Sequence, residues 1–238
     1  MSLRTLGFVT MLATIVASAA FGGLTHHIKK SDVAIAQSEV TPAVFLPVQF
    51  LPVQSKDAKD LAAGKLLVAS KDLGDPNFAK TVILLVHFDD QGVVGLVLNR
   101  RTDIPLSRLL EGVEGAKDRS DTAYLGGPVE VPSALALFQS PAKVEGAEHV
   151  FGGVYLISSK TTFEHTLAAR PDPQVFHVYL GYAGWTKDQL RNEVEMGGWF
   201  IFPADTGAVF NSDPGSLWLQ MIRKTELKLA GSEPAGKP

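Results

Sequence analysis

Two apolar runs separated by a polar turn constrain this chain more than any other feature. Val82-Ile83-Leu84-Leu85-Val86 carries no polar side chain, and Val93-Val94-Gly95-Leu96-Val97-Leu98 is nearly as apolar. Short runs rich in Val, Ile and Leu read as strands, and a strand without an alternating polar face must be covered on both sides. Between them lies Asp89-Asp90-Gln91-Gly92. Its Asp and Gly tolerate positive φ, so the two strands pair antiparallel as a hairpin at the centre of a sheet. Residues 64–70 add a strand upstream, joined to the hairpin by the polar connection of residues 71–80. The hairpin's second strand ends on Asn99-Arg100-Arg101, polar groups at the lip of a buried sheet.

A chain of 238 residues, 45% hydrophobic and 20% charged, can bury one substantial core. The expectation is one domain behind a non-domain N-terminus. The formal charge is -3, and beyond residue 40 there are 19 basic against 23 acidic residues. A duplex-binding protein carries a basic footprint and a groove-reading element. Neither is present, which disfavours direct DNA binding. Cysteine is absent, excluding disulfides, thiolate metal sites, a Cys nucleophile and a lipidated Cys.

After Arg4 the eleven apolar residues 6–16 run into Ala17-Ser18-Ala19 before Ala20, the layout of a secretory signal peptide. A second small-x-small site is Ala34-Ile35-Ala36 before Gln37. Uncut, residues 6–24 are nineteen residues without a charge, at the lower end of a helical membrane span. Residues 1–24 are therefore expected to be a signal peptide or membrane anchor, with the protein exported or membrane-attached and the membrane its first partner. Residues 25–60 read as a linker containing the tandem repeat Phe45-Leu46-Pro47-Val48-Gln49 and Phe50-Leu51-Pro52-Val53-Gln54. Its prolines oppose helix, and the odd period puts Phe45 and Phe50 on opposite faces of a strand. Residues 231–238 read as a disordered tail.

Further elements follow from caps and spacing. Asp103 caps a helix with Pro105 in its first turn and Leu106, Leu109, Leu110 and Val113 on one face. Tyr124-Leu125 enters Gly126-Gly127-Pro128, where glycine permits either a tight bend or exposed amides that hold an anion. Residues 134–138 and 153–157 are strands around a long loop in which Glu148 and His149 are surface residues. Ser159 or Thr161 caps a helix carrying Phe163 and Leu167. Residues 174–180 form a strand with His177 and Tyr179 on one face. Thr186 and Gln189 make a capping box for a helix through Leu190, Val194 and Met196. Residues 199–202 are a last strand, and Asp213-Pro214 opens the final helix.

Catalytic signatures are missing. No two of the six histidines stand at i and i+4, there is no His-Glu-x-x-His, and neither Gly-x-Ser-x-Gly nor a strand-following GxGxxG occurs. Ser140-Pro141-Ala142-Lys143 matches Ser-x-x-Lys, but in a proline-broken loop rather than at the start of a helix. No catalytic residue, metal or cofactor is predicted.

Several segments together resemble one family. Leu67-Val68-Ala69-Ser70, Asp75 with Phe78, Thr81-Val82, Gly92 with residues 95–100, residues 124–129, Leu180-Gly181-Tyr182-Ala183-Gly184-Trp185 and Pro203-Ala204-Asp205 are similar, in order, to the AlgH/YqgE family. The resemblance implies a single α+β domain over residues 61–230, with a bent mixed, largely antiparallel sheet forming a pseudo-barrel with flanking helices. It implies no assigned reaction. It also implies a cytoplasmic or chloroplast protein, from which the apolar start departs. The family's usual histidine falls where this chain has Phe88, so His87 inherits no role. Where the family commonly has proline this chain has Arg101, adding a charge at the rim.

The candidate cleft comprises Asp75, Asn99, Arg100, Gly126, Gly127, Tyr182, Trp185 and Asp205, all at strand ends or in short loops that match the family. They would form a ligand or peptide groove with aromatic walls and Arg100 as an anion contact. The plainer reading gives Asp75 and Asp205 to caps and turns, Asn99 to backbone groups, and Tyr182 and Trp185 to packing. The function expected is a non-enzymatic binding or regulatory module with a protein or peptide partner. The alternatives are an enzyme on a small anionic substrate, with Arg100 binding it and Asp75 or Asp205 as general base, and a transcriptional regulator, by the family's name.

Overall fold

The computed structural model describes residues 54–231, except the side chains of Pro132 and of residues 227–231. The predicted export segment, the tandem repeat up to residue 53 and the tail beyond residue 231 lie outside the described residues. The strands β1 (Lys65–Ala69), β2 (Val82–Phe88) and β3 (Val93–Val97) form an antiparallel meander. The apolar runs behave as expected, since Leu66, Leu67, Ile83, Leu84, Leu85 and Leu96 have no exposed surface. At the hairpin tip the Asp89 carboxylate accepts from the amides of Gln91 and Gly92, the local bond that makes Asp a turn residue.

The remaining strands are β4 (Arg101–Pro105), β5 (Thr122–Leu125), β6 (Val129–Gln139), β7 (Glu148–Phe151), β8 (Val154–Ile157), β9 (Phe176–Trp185) and β10 (Trp199–Pro203). The ten-stranded sheet runs β10-β1-β2-β3-β9-β6-β8-β7, with β5 pairing both β4 and β9. Among the described residues only the β5–β9 pair is parallel, so the sheet is mixed but largely antiparallel. It curls into a half-barrel with helices around it, an α+β fold. The curl brings β7 opposite β1 and β2. A Cβ built on Gly64 would stand 3.0 Å from Phe151 Cβ, and His87 meets Glu148 at 3.0 Å.

β9 is the hinge of this curl. Its first half pairs with β5 and β6, and Ala183, Gly184 and Trp185 pair with β3. The change of neighbours occurs at Gly181, whose φ of 66° belongs to the left-handed region open to glycine. Gly126 crosses at the same point, where a Cβ would lie 2.3 Å from the Gly181 carbonyl oxygen.

The helices are α1 (Leu106–Leu109), α2 (Lys160–Ala168), α3 (Lys187–Glu195), α4 (Thr206–Val209) and α5 (Pro214–Gly231). Ser159 caps α2, and Thr186 caps α3 through the Gln189 amide. The capping box is only half made, because the Gln189 side chain turns to Glu193 instead. Three expectations need correction. Residues 101–105 are not a helix start, because Arg101 and Pro105 pair with Tyr124 and Thr122, leaving α1 a single turn without a side-chain cap. Glu148 and His149 are not in a loop but in β7, which turns at Gly152 and Gly153 to pair with β8. Met196 is 79% exposed, beyond the buried stripe of α3.

Two apolar clusters result. The larger joins β1, β2, β3 and β10 to α3 and α5, where Trp218 of α5 donates to the Ala69 carbonyl at 2.8 Å. The smaller surrounds Phe163, Leu167, Phe176 and Val178 beneath α2. At the N-terminal side, Ser55 exchanges two backbone bonds with Ile201 of β10. No helix among the described residues is long and apolar enough to cross a membrane.

Candidate functional site

The eight residues of the predicted cleft fall in three places. Four of them gather on the connection of residues 75–81. Asp75 accepts from the Asn77 amide at 2.8 Å. Asn99 accepts from the Val82 amide and donates to the Lys80 carbonyl, each at 2.9 Å, which holds Lys80 at a φ of 58°. Arg100 donates to the Pro76 carbonyl at 3.4 Å. Trp185 stacks on Phe78 with ring centroids 5.3 Å apart and shares the Glu193 carboxylate with Trp199. These groups hold backbone and core in place.

Gly126, Gly127 and Tyr182 meet where β5 crosses β9. The Gly126 amide donates to Leu180 and its carbonyl accepts from Val97, so that amide is not free for an anion. A Cβ on Gly127 would stand 2.2 Å from the Tyr182 carbonyl carbon. Close backbone approach is thus what both glycines serve. Tyr182 is half-buried and, with His87, Glu130 and Glu148, lines a cavity of about 510 Å³. Asp205 belongs to neither group. It caps α4 by accepting from the Ala208 amide at 2.9 Å.

A more polar cavity of about 600 Å³ is lined by Arg101, Asp121, Tyr124, Pro173, Gln174, His177, Phe210, Asn211 and Ser212. Its construction follows from the strand pairing. Register sets Arg101 of β4 opposite Tyr124 of β5, and the parallel β5–β9 pair brings Tyr124 beside β9. Tyr124 stacks on His177 with centroids 4.7 Å apart, and Phe210 meets the same imidazole edge-on at 5.1 Å. The segment after α4 completes the wall.

Charges in this cavity are unevenly matched. Asp121 is saturated by Arg119, whose Nη2 and Nε lie 2.6 and 2.9 Å from its two oxygens. Arg101 donates through Nε to Thr122 Oγ1 at 2.8 Å and has no carboxylate partner among the described residues. Burial drives the His177 pKa down from 6.5 to about 4, so the imidazole is neutral at pH 7. Burial also raises the Tyr124 phenol. His177 Nδ1 and the hydroxyl of neighbouring Tyr179 are buried without a hydrogen-bond partner.

Ser212, His177 and Asp121 are residue types that can serve nucleophile, base and orienting acid. Such a relay needs each member within hydrogen-bond reach of the next. Among the described residues no hydrogen bond joins His177 to Ser212 or to Asp121, and Asp121 is already taken by Arg119. No group of described residues has the makings of a metal site.

Arg101 is the one lining residue that the sequence marked, as an extra charge at the rim. Tyr124, His177, Asp121 and residues 210–212 were missed. The available signal was a histidine within the otherwise apolar strand of residues 175–180.

The AlgH-like family model (DUF179) matches residues 66–230. The chain is similar to a UPF0301 protein of Streptomyces avermitilis, 35% identical over 173 residues that cover 70% of this chain and 88% of that one. A UPF0301 protein of Azoarcus sp. is 32% identical over 175 residues, covering 71% and 93%. Among solved structures, the AlgH protein of Pseudomonas aeruginosa aligns with a TM-score of 0.58 at 26% identity, over 74% of this chain and 95% of that one. A protein from Corynebacterium diphtheriae shares the fold, with a TM-score of 0.59 at 21% identity over 69% and 87%.

Proposed function

This chain belongs to the AlgH-like family, and we propose that it is a non-enzymatic binding module whose ligand occupies the cavity of Arg101, Tyr124 and His177. The observation that carries this reading is the state of the ionisable groups there. Asp121 is neutralised by Arg119, His177 is neutral and unbonded to Ser212, and among the described residues Arg101 keeps the one uncompensated charge of the lining. Such an arrangement supports holding a ligand rather than moving a proton through it. The volume of about 600 Å³ lies within the range of small-molecule sites. Asn99 and Arg100 support the module indirectly, by fixing the connection they bind.

The test is a thermal-shift screen of a small-molecule library, followed by recovery of the hits. A ligand that raises Tm in the wild type but not in Arg101→Gln, and returns chemically unchanged, is the expected result. Saturable turnover lost in His177→Phe or Ser212→Ala would replace binding by enzymatic chemistry.

Residues 6–24 support a further element of the proposal, that the domain is delivered to or across a membrane and meets a protein or peptide partner there. Fractionation with sequencing of the mature N-terminus is expected to give a start near Ala20 or Gln37, or a carbonate-resistant intact chain. An intact chain that is soluble and protected from external protease would end that part of the proposal. The excess of acidic over basic residues speaks against the regulator acting on DNA directly.

A further inference from the structure

We infer that the ligand of this cavity is a planar organic monocarboxylate, bound with its carboxylate on Arg101 and its ring system against the aromatic wall. This rests on the binding reading above and names the ligand class for the same site. The first argument is charge. Five ionisable groups bear on the cavity, namely Arg101, Asp121 with its partner Arg119, His177, and the Tyr124 phenol, which burial keeps neutral by raising its pKa. Asp121 and Arg119 cancel, and His177 is neutral, so the lining carries a single positive charge. Gln174, Asn211 and Ser212 add only neutral polar groups. A singly charged anion matches this lining without leaving an uncompensated charge in a partly desolvated site.

The second argument is geometry at Arg101. Its Nε is engaged by Thr122 Oγ1 at 2.8 Å, which anchors the guanidinium and leaves its two Nη groups as the donors for a ligand. A planar fork of that kind pairs with a carboxylate through parallel bonds. A phosphate monoester carries more charge and is ordinarily met by several cations or by a run of backbone amides. Among the described residues this lining has one unpaired cation. The Gly126 amide is already spent on Leu180, and α4 has four residues, too few for a helix-end site.

The third argument is the wall. Tyr124, His177 and Phe210 form a contiguous set of three unsaturated rings in the lining, to which Pro173 adds a pyrrolidine. Flat rings pack on such walls by stacking or edge contact. The amides of Gln174 and Asn211 and the Ser212 hydroxyl in the same lining suit a ring heteroatom or hydroxyl substituent. An aliphatic carboxylate would satisfy Arg101 alone and leave the wall uncovered.

The test is a set of NMR titrations of the purified full-length chain with 2-naphthoate, acetate, 2-naphthalenemethanol and phenyl phosphate as probes. Saturable binding of 2-naphthoate is expected, at least about ten-fold tighter than either acetate or the alcohol, because a charge-assisted pair and the ring contact each contribute about that factor. Arg101→Gln should weaken naphthoate at least about ten-fold, Arg101→Lys should restore part of the loss, and Arg100→Gln should change nothing. Unchanged spectral dispersion of Arg101→Gln shows that the variant is folded. Phenyl phosphate binding more tightly than naphthoate, still through Arg101, would overturn the ligand class and leave the binding reading intact. Equal affinity for the alcohol, or no saturable shift with any probe, would also overturn the class. The binding reading itself fails only on the library screen and its turnover control.

Discussion

His87 and His177 sit on β2 and β9 with β3 between them, and the fold treats the same imidazole in opposite ways. His87 lies at the seam where the half-barrel's far edge comes round, with Nδ1 3.0 Å from Glu148 and Nε2 2.8 Å from Asp89. The hydrogen bond that His87 donates to Glu148, aided by Asp89, raises its pKa above 6.5 against the opposing effect of burial. His177 is enclosed by Tyr124 and Phe210, and burial is the dominant cause of its fall to about 4. The nearby Asp121 opposes that fall only in part, its carboxylate being paired with Arg119. The seam satisfies its polar atoms, while Nδ1 of His177 in the cavity lining and the hydroxyl of Tyr179, behind Tyr124, are buried without a partner. Unpaired buried polar atoms cost stability. A fold that keeps them beside an open cavity has given up some stability at that place, as binding sites commonly do.

The contrast has a sign at each end of the pH scale. A histidine whose folded pKa lies below its unfolded value destabilises the fold as pH drops, because the unfolded chain takes up the proton first. His177 should therefore withdraw stability between pH 6.5 and about 4, by roughly 3 kcal/mol at about 1.4 kcal/mol per pH unit. That is the largest effect expected. Urea titrations at pH 7 and pH 4 should show a wild-type loss that exceeds the loss of His177→Phe by about this amount. Equal acid losses in the two proteins would break the comparison from the cavity side.

An intermediate effect is expected one layer below. Tyr179→Phe removes a buried hydroxyl that has no partner, so the variant should be as stable as the wild type or more stable by about 1 kcal/mol. Chemical denaturation at neutral pH measures this directly. A clear loss of stability would mean that the hydroxyl is paired in solution, and this layer would then resemble the seam.

The smallest effect belongs to His87. Its raised pKa means that the double ion pair contributes fully below pH 6.5 and is lost as pH climbs through the raised folded value. The side chain is 37% exposed, so solvent screening keeps the contribution below about 1 kcal/mol. Melting curves of His87→Gln and wild type should differ at pH 6, converge at pH 9, and converge at either pH in high salt. A difference that is the same at both pH values would leave His87 as packing alone.

Much of the fold was legible in order along the chain. Residues 82–86 and 93–98 announce central strands because nothing polar interrupts them, and Ser159 and Thr186 announce helix starts because their hydroxyls cap a turn three residues away. β4 was not legible. Arg101-Thr102-Asp103-Ile104-Pro105 has no apolar face, and it is a strand because β5 offers it a partner. β7 likewise takes its conformation from β8. The candidate site divided along the same line. Asn99, Asp75 and Asp205 meet backbone amides, in the roles that their residue types commonly fill. The cavity showed in the sequence only as the extra charge of Arg101 and as a histidine within the apolar strand of residues 175–180.

Short-range patterns therefore decided the central strands, the caps, the missing cysteine chemistry and the acidic balance, because each depends on residues a few positions apart or on composition. The association of Arg101 with Tyr124, His177 and residues 210–212 depends on a parallel contact between β5 and β9. Parallel pairs join strands distant in sequence and leave no local turn signature. The same holds for the opposite fates of His87 and His177. An imidazole's pKa follows from the carboxylates and the burial around it, and those are supplied by strands that meet only when the sheet curls.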